Sequence, residues 1–113
     1  MAVPFTIGIE EEFQMVDQHT GQLVSHIHTI LEKGEPLLGE HIKAEMLQAT
    51  VEITTEVCPN IRAARLSLQH LRSTLAQLVA SEGLALISAG THPLALWQDQ
   101  ARTRNSRYEE LEE

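Results

Sequence analysis

Only one cysteine, Cys58, occurs in the 113 residues, so no disulfide can close within the chain, and a reducing cytosol is the expected compartment. Aromatic residues make up 4% of the sequence, so any core must be aliphatic, built from Leu, Ile, Val and Ala. No apolar run approaches the roughly 20 residues of a membrane-spanning helix. The first five residues, Met1 to Phe5, have neither the basic n-region nor the long apolar h-region of a signal peptide. Basic residues are scarce, 8 against 16 acidic ones, and the formal net charge of −8 argues against nucleic acid as a partner. Neither GxGxxG nor GxxxxGK[ST] occurs, which removes the two common glycine-rich ways of cradling a nucleotide. There is no repeat and no low-complexity linker.

Against these absences stands a stretch dense in function-bearing side chains, Thr6-Ile7-Gly8-Ile9-Glu10-Glu11-Glu12-Phe13-Gln14-Met15-Val16. Its bounds and β-branched content are those of a strand, yet three carboxylates sit in its middle. Side chains alternate along a strand, so Glu10, Glu12 and Gln14 share one face. Ile7, Ile9, Phe13 and Met15 share the other with Glu11. Two carboxylates two residues apart on a strand lie roughly 7 Å apart. They repel unless water or a cation separates them.

The remaining pattern predicts an α+β chain in the order strand, short elements, strand, long helix, strand, helix. The first strand, about residues 5–16, runs into the turn Asp17-Gln18-His19-Thr20-Gly21 and a short return arm at Gln22-Leu23-Val24. His26 to Lys33 reads either as a strand or as a short helix ending at Gly34, with Glu35-Pro36-Leu37-Leu38-Gly39 as a connector. Ala44 to Ala49 favours helix by propensity, and the β-branched, alternating run from Thr50 to Val57 is a second strand. On it Thr50, Glu52, Thr54 and Glu56 share a face. Glu45 would point to the opposite face if that strand ran straight back to it, so a bulge or break before Thr50 is needed to bring it round. Asn60 is an N-cap for a helix whose apolar stripe is Ile61, Ala64, Leu68, Leu71, Leu75, Leu78 and Val79, closed by Gly83. Leu84 to Gly90 reads as a buried strand. Arg107 to Glu113 begins a helix with no stop signal after it, as in a chain cut short or in one that ends in a natural acidic tail.

Glu10 and Glu12, with Glu52 and Glu45, are the candidates for a cation. Oxygen-only donors suit Mg²⁺ or Mn²⁺, which commonly bridge to phosphates. The bland alternative is a solvated strand face. His26 and His28 could line one strand face but lack a third partner. His41 and His70 are expected at the surface. His92 follows a glycine-ended strand, a position where sites form. Cys58 reads as a packed small hydrophobe. Arg102, Arg104 and Arg107 beside Trp97 either bind phosphate or solvate a loop.

Four blocks together resemble the glutamate–cysteine ligase type 2 family. They are Gly8-Ile9-Glu10-Glu11-Glu12-Phe13, the run from Glu45 to Cys58, Ala89-Gly90-Thr91-His92-Pro93 and Arg107-Tyr108. The blocks come in the family's order and cover most of the chain. The resemblance implies the N-terminal part of a glutamine-synthetase-like catalytic fold, an antiparallel sheet with helices packed on one side. It also implies an ATP-dependent carboxylate–amine ligase that forms an amide through a γ-glutamyl phosphate. The implied substrates are ATP, glutamate and an amine such as cysteine, with Mg²⁺ or Mn²⁺ as the cofactor. Carried over residue by residue, Glu10, Glu12, Glu45 and Glu52 would be metal ligands. Thr54, His92 and Arg107 would meet substrate or nucleotide. No side chain is assigned a covalent or acid–base role.

Family members run much further than this sequence, so residues 1–113 read as one incomplete domain, the N-terminal fragment of a longer catalytic domain. Two other readings stand beside the ligase: a non-catalytic metal- or nucleotide-binding relative, and a small acidic interaction domain. The sequence leaves open the amine acceptor, the choice of metal and the oligomeric state, a homo-oligomer included.

Overall fold

The computed structural model describes residues 5–45 and 47–89. Along the chain come β1 (Glu10–Asp17), α1 (Ile27–Leu38), a short 3-10 turn (Gly39–His41), β2 (Ile42–Ala44), β3 (Thr50–Thr54), α2 (Ile61–Ser81) and β4 (Leu84–Ile87). The strands form one open antiparallel sheet in the order β2-β3-β1-β4, so the fold is α+β.

Alternation along the strands divides the sheet into two unlike faces. Phe13, Met15, Ile42, Val51, Ile53 and Leu84 are buried on one face. There they join Ile27, Ile30 and Leu38 of α1 and Leu71, Leu75, Leu78 and Val79 of α2 in a single aliphatic core. The opposite face carries Glu10, Glu12 and Gln14 of β1, paired in register with Thr54, Glu52 and Thr50 of β3. Burial of the first face against both helices is the main stabilising term. It also sets the register, since a slip of one residue would drive Glu10, Glu12 and Glu52 into the core.

The helix α2 starts where Asn60 accepts a hydrogen bond from the Ala63 N–H at 2.9 Å. It ends before Gly83, whose φ of +74° only glycine adopts without strain. Its stripe is as spaced, except that Ile61 lies outside it at 69% exposure. β4 is half-buried beyond Leu84.

Several local expectations are overturned. Helix α1 does not stop at Gly34; it runs through Gly34 and Pro36 to Leu38. Gly34 is there for packing, since a Cβ would come within 2.8 Å of Ile42 Cδ1 and 3.1 Å of Leu78 Cδ2. Pro36, in the last turn, has no N–H to bond the carbonyl four residues back, and the helix ends two residues later. His26 and His28 therefore sit at the start of α1 and not on a strand. Ala44, Glu45 and residues 47–49 are not helical: Ala44 ends β2 and the others lie between β2 and β3, which pair as antiparallel neighbours. The Thr50 N–H bonds the Leu47 carbonyl at 3.1 Å, while the Ala49 and Gln48 carbonyls accept from Met15 and from His26 and Ile27. The regular first strand is shorter than residues 5–16 and begins at Glu10, preceded by a lone bridge from Ile7 to Cys58. β3 ends at Thr54, because the buried Thr55 turns its hydroxyl to accept from the Ile9 N–H and donate to the Glu56 carbonyl.

Candidate metal centre

The hairpin supplies the break that Glu45 needed. Glu45 follows directly on β2, two residues after Lys43, and Lys43 stands opposite Glu52 on β3, which in turn stands opposite Glu12 on β1. Directly paired residues of antiparallel strands share a face. One row across the sheet therefore reads Lys43, Glu52, Glu12, with Glu45 just past the end of β2. Carboxylate oxygens of Glu12, Glu45 and Glu52 all lie within 4.8 Å of one another. An octahedron of 2.1 Å bonds places its oxygens about 3 Å apart in cis and about 4.2 Å in trans. Small rotamer adjustments, or an intervening water, would accommodate such an ion.

Two like charges 4 Å apart repel by about 1 kcal/mol in bulk water and about 4 kcal/mol near a protein surface. Lys43 closes no ion pair with Glu52 among the described residues, so it does not relieve that repulsion directly. Glu52 does have local support, since the Thr54 hydroxyl donates to its Oε1 at 3.3 Å. Thr54 is itself tied at its backbone, where His41 Nδ1 lies 2.8 Å from its carbonyl oxygen. His41 is thus half-buried at the sheet edge, whereas His70 is exposed.

Glu10 lies opposite Thr54, one pleat from the row, and is not among the three converging carboxylates. Glu11 faces the helices, where Arg72 of α2 donates to its two carboxylate oxygens from Nε, at 2.6 Å, and from Nη2. This pair holds the Arg72 guanidinium above its ordinary value, chiefly through the hydrogen bond. His26 Nε2 lies 3.5 Å from Glu82, and Lys33 also bonds Glu82. The ammonium of Lys33 is the main reason the Glu82 carboxyl is held below its usual range. Cys58 is buried, with its thiol directed to the Glu56 carbonyl at 3.3 Å. His92, Arg102, Arg104, Arg107 and Trp97 lie outside the described residues, as do Gly90 and the expected terminal helix.

Beside the row a cleft of ≈ 340 Å³ opens, with Glu12, Gln14, Glu45, Thr50 and Ser88 among its lining residues. That is room for a small molecule. Gln14 lines it, but the Gln14 Oε1 is itself buried and has no hydrogen-bond partner among the described residues. Strand parity places Gln14 on this face, but nothing in the sequence distinguishes its amide from a solvated one.

Comparison with known proteins adds what geometry alone does not. The model of glutamate–cysteine ligase family 2 matches residues 6–113. The chain belongs to this family. A protein of Roseiflexus castenholzii, provisionally named glutamate–cysteine ligase 2, is 48% identical over 105 residues, covering 93% of this chain and 28% of its own length. Relatives with the same provisional name from Herpetosiphon aurantiacus and Solibacter usitatus are 45% and 44% identical, covering 97% and 96% of this chain and 30% and 28% of their own lengths. The chain thus spans under a third of the length of the curated relatives it matches. The match covers β1, the β2–β3 hairpin and the acidic row.

Proposed function

We propose that the chain is the metal-bearing N-terminal portion of the catalytic domain of a cytosolic, ATP-dependent glutamate–cysteine ligase with a glutamine-synthetase-like fold. Family membership suggests the carboxylate–amine ligase activity. The observation that carries the site is the convergence of Glu12, Glu45 and Glu52 from three segments of one sheet. Glu12, Glu45 and Glu52 would hold Mg²⁺ or Mn²⁺, with Glu10 one pleat away for a second ion or its waters. The ion supplies charge neutralisation at the ATP phosphates. Thr54 would orient Glu52, and His92 and Arg107 would meet substrate or nucleotide.

In the proposed reaction a γ-carboxylate oxygen of glutamate attacks the terminal phosphorus of ATP, and ADP leaves. The amine of cysteine then adds to the acyl carbon of the γ-glutamyl phosphate and gives up a proton. Phosphate departs and the amide remains. A sheet suits this chemistry because phosphoryl transfer asks the protein mainly for placement and charge, and strand positions are rigid. The acidic row supports this reading over a solvated face, because its three carboxylates come from separate segments yet share one volume.

The test is ADP release by the full-length protein, measured with and without glutamate and cysteine. Release that needs both amino acids, and that falls about a hundredfold or more in Glu12→Gln and Glu52→Gln while the fold is kept, supports the ligase. Release indifferent to either amino acid, or to both substitutions, refutes it.

A further inference from the structure

Beside the acidic row runs a second one. The β2–β3 register, continued by one residue, sets His41 opposite Thr54, and Thr54 stands opposite Glu10 on β1. The two rows are joined where the Thr54 hydroxyl donates to Glu52 Oε1 at 3.3 Å. That is long for a hydroxyl donor. A small shift of Thr54 away from Glu52 would break it, so whatever fixes Thr54 also fixes Glu52.

Thr54 is the last residue of β3, and the extended part of β2 has ended before it: residues 39–41 wind as the 3-10 turn instead. The side chain of His41 stands in for the missing strand partner, with Nδ1 2.8 Å from the Thr54 carbonyl oxygen. A carbonyl only accepts, so Nδ1 is the donor and carries the proton. His41 is half-buried, and alternation from the buried Ile42 sets it on the acidic face.

We infer that His41 is a positioning residue for the metal centre. By holding the Thr54 carbonyl it holds the Thr54 hydroxyl against Glu52, and so keeps that carboxylate turned towards Glu12 and Glu45. The inference rests on the metal-bearing reading above and names what keeps one ligand in place within it. Three like charges that share one volume repel, so an unheld Glu52 would swing out to water before an ion arrives. An octahedral ion with bonds of about 2.1 Å tolerates little misplacement. Partners that orient a metal ligand typically account for about ten- to a hundredfold in affinity.

The probe is Mn²⁺ alone, titrated into the full-length protein and read by the free-ion paramagnetic resonance signal. Thermal unfolding of the metal-free protein is followed beside it. Thr54→Val removes the hydroxyl and keeps the size, and is expected to weaken Mn²⁺ binding about ten- to a hundredfold. His41→Ala acts one link further from the ion and is expected to weaken it about three- to tenfold. His41→Asn, whose amide nitrogen can stand where Nδ1 stood, should stay within about twofold of wild type. In the Thr54→Val background, His41→Ala should change the affinity by less than about twofold, because its route to Glu52 is already cut. If His41→Ala does not fold, His41→Gln takes its place, since its donor sits one bond too far out.

Unchanged Mn²⁺ affinity in His41→Ala with a lowered unfolding midpoint overturns the inference and leaves the ligase reading intact, since it marks a merely structural bond. Tighter binding in His41→Ala also overturns it, and marks the ring as a charge near the ion. So does an equal loss in His41→Asn and His41→Ala, or a full further loss in the Thr54→Val background. A wild-type protein that binds no Mn²⁺ overturns the metal-bearing reading, and this inference with it.

Discussion

Three consecutive glutamates, chemically identical, meet three different surroundings. Glu12 joins the acidic row, Glu10 faces Thr54 one pleat away, and Glu11 crosses to Arg72. Parity alone separates Glu11 from the other two, and this much was readable from the sequence. Its partner was not, because 61 residues separate Glu11 from Arg72 and only the packing of α2 on the sheet joins them. The side chains are 18% and 53% exposed, so solvent screens the pair despite its two-point geometry. Glu11→Gln is expected to lower stability by no more than about 1 kcal/mol in urea denaturation. Its Mg²⁺ affinity should stay at the wild-type value, in contrast to Glu12→Gln.

Glu82 offers a second residue-scale test. Lys33 first, and His26 after it, hold its carboxyl below the ordinary value of 4.5. A carboxyl with a lowered folded pKa binds fewer protons folded than unfolded. Its contribution is therefore complete above the ordinary value and is lost as pH falls through the folded one. Asp17 behaves alike, lowered from 3.8 by the Thr20 and His19 backbone N–H groups. Thermal unfolding followed below about pH 5 should show a shallower loss of stability in Glu82→Gln than in wild type. Parallel curves would show that this cluster contributes nothing on the acid side.

At the scale of elements, α2 and its caps follow local rules, and the sequence displays them: Asn60 ahead, an apolar stripe, Gly83 behind. Asn60→Ala should cost about 1 kcal/mol, read as a lower denaturation midpoint with an unchanged slope. Residues 34–39, 44–45 and 47–49 follow tertiary rules, and there local propensity misleads. Gly34 looks like a helix stop but is a contact point between α1, Ile42 and Leu78. Gly34→Val should therefore cost about 1–3 kcal/mol by overpacking, although valine in a helix interior is otherwise preferred over glycine. A stabilised variant would show that the Ile42 and Leu78 side chains simply move aside. Residues 44–49 have good helix propensity, yet β1 and the start of α1 claim the carbonyls of Ala49 and Gln48. Those partners are about twenty to thirty-five residues upstream, so no local window contains them. The hairpin they enforce brings Glu45 to the row, so the most consequential misreading concerned the segment that completes the site.

For the whole molecule, the sheet has two unlike faces: one is buried under both helices, and the other carries the acidic row on β1 and β3 with Val16, Ala85 and Ile87 towards β4. That division, and the α+β class, were legible because alternation is local. The convergence of three carboxylates was legible only as a set of candidates, since register and the hairpin decide which of them meet. Because the chain spans under a third of the length of its relatives, a complete substrate pocket is not expected within it. The 113-residue chain alone is expected to show no glutamate- and cysteine-dependent ADP release, and a coupled assay that found such release would locate the whole reaction within this chain. The central claim is that the acidic row binds a divalent cation. Its most direct test is a Mn²⁺ titration of the full-length protein, read by the loss of the free-ion paramagnetic resonance signal. Wild type is expected to retain the ion, and Glu12→Gln and Glu52→Gln each to bind it about ten- to a hundredfold more weakly with an unchanged circular dichroism spectrum. Equal affinity in all three proteins would contradict the account.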